Sequence, residues 1–217
     1  ASALDNNPPE AKALSPEHIA IIETWQQFVQ LFPSDEKLPS FPIWSNEFGA
    51  TYPFEDTTPF AIGTRRLLKY RGSHGSMLET LTPEDRWNAL PSYARTEEDA
   101  FPKWKIDFIK QNRALYLRHK KWINPWLNQV KTLIPSFQKF EWNCGSEERD
   151  VWRYIIQFRA SGIRVKRPST APSLVAMTTT QVPIIGSQRR YMTPKECARL
   201  QSPSSLKVLP PAASRAF

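Results

Sequence analysis

Basic side chains recur along two neighbouring stretches of the sequence, VWRYIIQFR at 151–159 and IRVKRP at 163–168. Both stretches are typical of β-strands, in which successive side chains point to opposite faces of a sheet. In the first stretch this alternation predicts an aromatic face that points inward and an arginine-bearing face that points outward. An arginine guanidinium can bind phosphate or the O6/N7 edge of guanine with two hydrogen bonds, whereas lysine acts as a point charge. The candidate DNA-binding residues of this region are Arg153, Arg159, Arg164, Lys166 and Arg167.

A second basic site, Arg189 and Arg190, precedes a sequence with the form of a helix start and returns the chain to the same lobe. We expect most of these basic residues to face one surface. Thr193 can cap a helix with its hydroxyl, Pro194 suits the first helical position, and Glu196 stands where a capping box requires a carboxylate. Ser202-Pro203 stops this helix after barely two turns, which is too short to be stable alone. We therefore predict that it docks on the rest of the protein, although an ordinary capped helix in a small domain has the same signals.

The two cysteines, Cys144 and Cys197, form no CxxC pair and have no histidine at metal-ligand spacing. We accordingly predict no metal site, and a disulfide cannot be argued from this pattern. The chain has no run of 18 apolar residues, and its first residues have neither the basic nor the apolar region of a secretory signal. These features predict no membrane partner and fit a reducing, cytoplasmic setting, which in a bacterium would be near the nucleoid.

The net charge of +8 is distributed unevenly along the chain. Residues 151–217 contain 11 Lys+Arg and one acid, a net charge of +10, whereas residues 1–150 contain 18 Lys+Arg and 20 Asp+Glu, a net charge of −2. This asymmetry favours a polyanionic partner. The alternative is a basic face that serves only solubility.

Helical and β-rich patterns occupy different parts of the sequence. Ser15-Pro16-Glu17 opens a helix whose apolar residues recur every three or four positions. Residues 34–101 are irregular and rich in proline. Strands are predicted after residue 146, and Pro183 interrupts the last of them. The prediction is an α+β fold, with a helical, proline-rich first part and a small, mainly antiparallel sheet followed by the short capped helix. The apolar face of the first helix consists of Ile19, Ile22, Trp25, Val29 and Phe32.

A second helix, predicted from Pro102 until Asn124-Pro125 ends or kinks it, combines an apolar stripe with many basic residues. The stripe contains Trp104, Phe108, Ile109, Tyr116 and Ile123. The same stretch contains one acid, Asp107, and seven basic residues, which are Lys103, Lys105, Lys110, Arg113, Arg118, Lys120 and Lys121. This basic side fits a nucleic-acid-binding face and an ordinary solvated face equally well. The basic residues around the Gly-Ser loop at 65–74 leave the same two alternatives, a phosphate contact or a solvated loop.

Five segments are predicted along the chain. They are a tail at 1–14, a helical and irregular part at 15–145, a β-rich DNA-recognition part at 146–190, the capped helix at 191–203, and a final segment at 204–217.

The string YMTPKECARLQS, Tyr191 to Ser202, resembles the ninth conserved block of the cytosine-5 DNA methyltransferases, R-x-L-T-P-R-E-x-A-R-L-Q-G/S-F-P. Arg189 or Arg190 supplies the first arginine, Met192 replaces leucine and Lys195 replaces arginine. The unchanged positions are Thr193, Pro194, Glu196, Ala198, Arg199, Leu200 and Gln201. In addition, RPSTAPSLVAM at 167–177 is similar to a segment at the edge of the family's target-recognition domain, and FPIWSNEFGATYPF at 41–54 is similar to a segment found in one subset.

This resemblance implies a region that recognises double-stranded DNA within an enzyme that flips a cytosine out of the duplex, as in restriction-modification systems. A large lobe of the complete enzyme binds S-adenosylmethionine and supplies a Pro-Cys nucleophile. The resemblance places Ser173 and Leu174 close to DNA and assigns a structural brace that holds the DNA-reading lobe. The residues of this brace are Thr193, Pro194, Glu196, Arg199 and Gln201.

The sequence departs from the family in its catalytic blocks, because Pro-Cys, Glu-Asn-Val, Phe-x-Gly-x-Gly and Gly-Asn-Ala-Val are all absent. We therefore assign no catalytic residue, expect no cofactor to bind this chain, and expect it to be inactive alone. The expected partner is a catalytic methyltransferase lobe or subunit, and the chain is either an excised piece or the smaller part of a split enzyme. The alternatives are a non-catalytic DNA-binding module and a protein-interaction piece.

Overall fold

The computed structural model describes residues 4–6, 8–169 and 181–201, and it divides the chain into two compact units. The first unit comprises residues 1–40 and 140–217, and the second comprises residues 41–139. The described residues before position 41 therefore belong to the same unit as the described residues after position 139, and the five predicted segments stay a prediction. The predicted α+β class is confirmed.

The described helices and strands are distributed over both units. The helices are α1 (Pro16–Leu31), α2 (Pro59–Ile62), α3 (Pro83–Asn88), α4 (Lys103–Val130) and α5 (Pro194–Gln201). The strands are β1 (Ile43–Trp44), β2 (Lys139–Asn143), β3 (Ile155–Arg159), β4 (Gly162–Lys166), β5 (Ile184–Ile185) and β6 (Arg190–Tyr191).

The sheet of the first unit has the strand order β2-β4-β3-β5-β6. Strands β3 and β4 form an antiparallel hairpin in which Arg159 pairs with Gly162 and Gln157 with Arg164. The β3–β5 and β5–β6 pairs are also antiparallel, whereas β2 runs parallel to β4. The sheet is therefore mixed but mainly antiparallel, as the sequence predicts.

Helix α1 begins as the sequence predicts and packs on this sheet. The Ser15 hydroxyl accepts the His18 N–H at 3.2 Å, and Pro16 occupies the first turn. The ring of Trp25, which is fully buried, stacks on Phe140 of β2 at 4.8 Å. Of the predicted apolar face, all members except the partly exposed Ile19 are buried.

Strand β3 is buried on both faces, which corrects the prediction of one inward and one outward face. Phe158 lies edge-on to the His18 ring of α1 at 4.9 Å. On the opposite face, Ile155 belongs to a buried cluster with Ile185 and Cys197, the latter from α5. The sheet of this unit therefore lies between two helices, and the strand has no wholly solvated side.

The predicted strand at 151–159 is shorter than expected, because residues Val151–Arg153 form a 3₁₀ turn. The Asp150 side chain accepts the Trp152 N–H at 3.1 Å and thereby caps this turn. Arg153 consequently lies outside the sheet, and its predicted place on a strand is wrong.

The segment predicted to be a tail is attached to the sheet where residues 4–6 and 8–14 are described. Ala13 forms an antiparallel bridge with Arg190 of β6. The Leu14 N–H donates to the Arg189 carbonyl at 3.1 Å, and the Tyr191 N–H donates to the Lys12 carbonyl at 2.9 Å. Backbone pairing with β6 and the residue before it thus joins residues 12–14 to the edge of the sheet.

The second unit is organised around a buried carboxylate, Glu47, within the stretch 41–54. Its oxygens accept the hydroxyls of Tyr52 and Tyr93, the latter at 2.7 Å, and the Arg113 Nε at 2.9 Å. Glu47 is wholly buried, and the Arg113 guanidinium lies 4.4 Å from the Tyr52 ring. A buried charge requires such a partner and such hydrogen bonds, so this network fixes the loop to α4.

Helix α4 continues through Pro125, so the predicted end at Asn124-Pro125 is wrong and the alternative of a kinked helix remains. Proline removes one backbone N–H and crowds the preceding turn, and the backbone leaves helical geometry at His119 rather than ending at Asn124. Buried Trp126 and Val130 keep the last turns packed. The predicted inward position of Trp104 is wrong, since 54% of this residue is exposed.

Candidate nucleic-acid interface

Three of the predicted DNA-binding residues share one face of the sheet. Strand alternation and register place Arg159, Arg164 and Lys166 on the same face, together with Glu141 of β2, which is paired with Arg164. This arrangement confirms a basic sheet face in the geometry, while its contact with DNA stays a prediction.

Glu141 holds two of these arginines. Its Oε1 accepts the Arg159 Nη2 at 2.6 Å, and its Oε2 accepts the Arg164 Nε at 2.8 Å. Burial raises the pKa of Glu141, but the hydrogen bonds from Arg164 and Arg159 outweigh it and the pKa is lowered. The carboxylate therefore remains ionised at neutral pH. It offsets one of the two positive charges, so the three side chains together carry a single positive charge.

Arg153 and Arg167 lie beside the acidic segment that precedes them. Arg167 donates to the Cys144 carbonyl at 3.2 and 3.3 Å and lies 3.5 Å from Glu147. Arg153 forms an ion pair with Glu148. The Arg167 side chain is 48% exposed and the Arg153 side chain is 57% exposed. Each ion pair is therefore open to water, and a phosphate can replace the acid.

Arg189 is positioned by a tight turn against the indole of Trp152. Its guanidinium lies 4.6 Å from the Trp152 ring centroid, and its backbone adopts a left-handed conformation with φ of 49°. A side chain at Gly186 would approach the Trp152 carbonyl to 2.5 Å, so this turn requires glycine. Since 58% of the Arg189 side chain is exposed and Glu23 is 3.9 Å away, the guanidinium is available at the surface.

Arg190, by contrast, is part of the interior. It donates from Nη1 to Glu196 Oε2 at 2.8 Å and from Nη2 to Glu196 Oε1 at 2.7 Å, and it is only 4% exposed. Its remaining donors reach Gln188 Oε1 and the Asp5 carbonyl, at 2.6 and 2.9 Å. The predicted DNA contact of Arg190 conflicts with this burial, and we assign the residue to the brace instead.

The structure contains the predicted capping box of α5. The Glu196 N–H donates to the Thr193 hydroxyl at 3.2 Å, and the Thr193 N–H donates to Glu196 Oε2 at 2.8 Å. Glu196 also accepts the Asp5 N–H at 2.9 Å. Burial raises the pKa of Glu196, but the hydrogen bonds from Arg190, Thr193 and Asp5 prevail and lower it to about 2.

The structure describes two further brace residues, Pro194 and Arg199, but not every position that the family resemblance points to. Arg199 forms an ion pair with Asp5 at 2.8 Å, and Pro194 occupies the first turn of α5. The side chain of Gln201 and the whole of Ser173 and Leu174 lie outside the described residues. Their predicted roles stay predictions.

The net positive charge of the first unit is smaller than that of the last third of the sequence, because the unit also contains acidic residues from other parts of the chain. The first unit contains 14 Lys+Arg and 11 Asp+Glu, and the second contains 15 Lys+Arg and 10 Asp+Glu. The net charges are thus +3 and +5, so the first unit is less basic than its β-rich sequence suggests. The sequence interpretation missed the acids that neutralise it, which are Asp5, Glu23, Glu141, Glu147 and Glu148. The acidic run at 147–150, directly before the basic strands, is the signal that could have revealed part of this pairing.

Neither cysteine has the environment of a nucleophile. Burial raises the pKa of Cys144 to about 12 and that of Cys197 to about 11. Reactive cysteines need the opposite shift, because the thiolate is the attacking species. Cys197 instead packs in the cluster that joins α5 to the sheet.

Two classes of site are not found in the part of the chain that the structure describes. No group of three or more His, Cys, Asp and Glu residues there could hold a metal ion. No helix within these described residues is both long and apolar enough to cross a bilayer.

Comparison with curated proteins finds a similarity to the type II methyltransferase M.AluI of Cellulosimicrobium cellulans, with 35% identity over 108 residues. The matched region is 48% of this chain and 20% of that protein, so the match spans about one fifth of the relative's length. No family model and no solved structure matches the chain. The similarity relates about half of this chain to a methyltransferase.

Proposed function

We propose that this chain is the target-recognition region of a cytosine-5 DNA methyltransferase and that it binds double-stranded DNA. Methyl transfer from S-adenosylmethionine then belongs to a catalytic lobe or subunit outside this chain, as in restriction-modification enzymes. The similarity to M.AluI supports the methyltransferase relationship, and the resemblance of 191–202 to the ninth conserved block supports the cytosine-5 assignment.

The observation that carries this proposal is the set of contacts that this block makes with the sheet. Its glutamate, Glu196, is buried, closes the capping box and binds Arg190 of β6 with both oxygens. Cys197 of the same helix packs on Ile155 and Ile185 of the sheet. The block is thus a brace for the sheet that carries the candidate DNA contacts, which is the role that the family resemblance implies.

Within this unit we assign DNA contact to the basic residues whose side chains remain accessible. The side chains of Arg153, Arg167 and Arg189 are about half exposed, and Lys166 is partly exposed at the end of β4. Arg159 is only 15% exposed and donates to Glu141, so we assign it to holding that carboxylate rather than to direct contact. Phosphate contacts fix a protein on the duplex, and arginine forks add base recognition.

A salt titration of duplex binding tests this proposal. For wild-type protein, the logarithm of the association constant should fall linearly with the logarithm of salt concentration, with a slope of about −0.9 per phosphate contact. Arg167→Ala and Arg189→Ala should each reduce the magnitude of the slope by about one if they contact phosphate. An arginine that contacts guanine should instead cost about 1–3 kcal/mol at one site only.

Arg95→Ala is a suitable control, because it removes an exposed arginine of the second unit that donates to Asn88. It should leave the slope unchanged. Absence of salt-dependent duplex binding by the wild-type chain would exclude the proposed function.

A further inference from the structure

Helix α4 carries a lysine stripe on its exposed side, defined here as Lys103, Lys110, Lys120 and Lys121. We propose that this stripe is a second DNA-binding surface, which contacts phosphates of the duplex without reading bases. The inference rests on the proposed function and extends it from the sheet of the first unit to a helix of the second.

The stripe follows from helical spacing. Lys103, Lys110, Ala114, Leu117 and Lys121 are separated by seven, four, three and four positions, so they lie along one side of the helix. All five are exposed, and Leu117 is 72% exposed. Lys120, one position from Lys121, adds a second charge at the same level. The opposite side of the helix faces the core through Ile109, Asn112, Ile123, Trp126 and Val130.

Two other cations of α4 are committed elsewhere and do not belong to the stripe. Arg113 is bound to buried Glu47 and to the Tyr52 carbonyl, both at 2.9 Å. Lys105 donates to the Tyr93 carbonyl at 2.8 Å, and burial lowers its pKa. The structure thus separates cations that organise the fold from cations that face solvent.

The acids near the stripe cannot neutralise it strongly. Lys103 and Asp107 form an i,i+4 pair at 3.0 Å, and Lys110 lies 3.3 Å from Glu55. The two lysine side chains are 88% and 65% exposed, so water screens both ion pairs. Neither Lys120 nor Lys121 forms an ion pair with another described residue, so these two lysines are the most available of the four.

The length of the stripe suits a duplex. A rise of about 1.5 Å per residue separates Lys110 from Lys121 by about 16 Å along the helix, more than the roughly 12 Å width of the major groove. The two ends of the stripe can therefore reach phosphates on both sides of a groove. The departure from helical geometry at His119 lies just before Lys120 and Lys121 and locally bends this side of the helix.

The charge of this surface favours a polyanion over a protein partner. Asp107 is the only acid in the 28 residues of α4, whereas protein interfaces are depleted in lysine. Leu117 lies in the middle of the stripe and would be the anchor of a protein interface. The effects of replacing Leu117 and the lysines separately therefore discriminate between these partners.

The test is duplex binding by the whole chain in a salt series, with duplexes of several unrelated sequences. Lys120→Gln combined with Lys121→Gln should reduce the magnitude of the slope of log affinity against log salt by about 1.8, which is about 0.9 for each lost contact. Adding Lys110→Gln should reduce it by about 0.9 more. The loss should be the same for every sequence, and glutamine keeps a helix propensity close to that of lysine.

Two controls separate this effect from general charge loss and from altered packing. Lys12→Gln combined with Lys37→Gln removes two exposed lysines of the first unit and should leave the slope unchanged. Leu117→Gln changes the middle of the stripe without changing its charge, and it should also leave the slope unchanged.

The outcomes distinguish this inference from the proposed function. Duplex binding by wild type with an unaltered slope in the α4 lysine variants would overturn the inference and leave the proposed function in place. A loss of binding in Leu117→Gln without a loss in the lysine variants would overturn it in favour of an apolar contact. Absence of duplex binding by the wild-type chain would overturn both.

Discussion

Arg190 donates to both carboxylate oxygens of Glu196, at 2.8 and 2.7 Å, and both residues are almost completely buried. The arginine belongs to the last strand of the sheet and the glutamate to the first turn of α5, so a single ion pair joins two elements. Buried pairs of this kind need every remaining donor and acceptor to be satisfied. The Asp5 and Thr193 N–H groups meet that requirement on the glutamate.

The stability of the first unit should depend on the ionisation of Glu196. Its pKa of about 2 in the folded chain lies below the usual value of 4.5, so the carboxylate stabilises the fold fully above about pH 4.5. This contribution should be lost as the pH falls toward 2, and it amounts to about 3 kcal/mol at most. Urea unfolding midpoints measured between pH 7 and pH 2 should show this loss in the wild type.

Glu196→Gln should be less stable at pH 7, since it leaves Arg190 without a buried anion. It should also lack the corresponding part of the acid-dependent loss. The exposed residue Glu84 provides the control, because Glu84→Gln should retain the wild-type pH profile. Parallel pH profiles for Glu196→Gln and the wild type would contradict the assigned role of the carboxylate.

Thr193→Ala should destabilise α5 and loosen the sheet beneath it. The change removes the hydroxyl that accepts the Glu196 N–H, at a cost of about 0.5–2 kcal/mol. Hydrogen exchange should accelerate at the amides of β3 and β5, because Cys197 of α5 packs against Ile155 and Ile185. Thr193→Ser keeps the hydroxyl and should preserve most of the protection. Unchanged exchange in Thr193→Ala would remove the argument that α5 braces the sheet.

Local signals predicted the structural elements well, since their causes lie within a few residues. The capping box of α5 joins residues three positions apart, and Ser15-Pro16 marks the start of α1 by the same logic. The hairpin of β3 and β4 also depends on residues that are close in sequence. These features can be derived without knowledge of what packs against them.

Burial and charge depend on distant partners, and there the sequence prediction failed. The alternation of β3 places Gln157 on the face predicted to point outward, yet Gln157 is buried. The acid that neutralises Arg199 is Asp5, 194 positions earlier in the chain. Periodicity assigns a side chain to one face of an element, but only the tertiary fold decides whether another element covers that face.

Gly186→Ala should destabilise the turn that positions Arg189. The new Cβ would lie 2.5 Å from the Trp152 carbonyl oxygen and 2.7 Å from that of Tyr154. Since both atoms are backbone, relief requires a shift of the turn, and overpacking of this kind costs about 1–3 kcal/mol. If Arg189 contacts phosphate, the variant should also share the reduced salt slope of Arg189→Ala. Ser187→Ala, an exposed change in the same turn, should affect neither property.

Glu141→Gln should strengthen duplex binding by releasing Arg159 and Arg164. The substitution removes the negative charge that now accepts hydrogen bonds from both arginines, at 2.6 and 2.8 Å. Each arginine that gains a phosphate should steepen the salt dependence by about 0.9, and the gain should be larger at low salt. Anisotropy titrations at two or more salt concentrations measure both effects. Glu84→Gln removes the same charge from α3 of the second unit and should raise affinity much less. Weaker binding by Glu141→Gln would instead mean that the carboxylate orients Arg164 for a contact that it already makes.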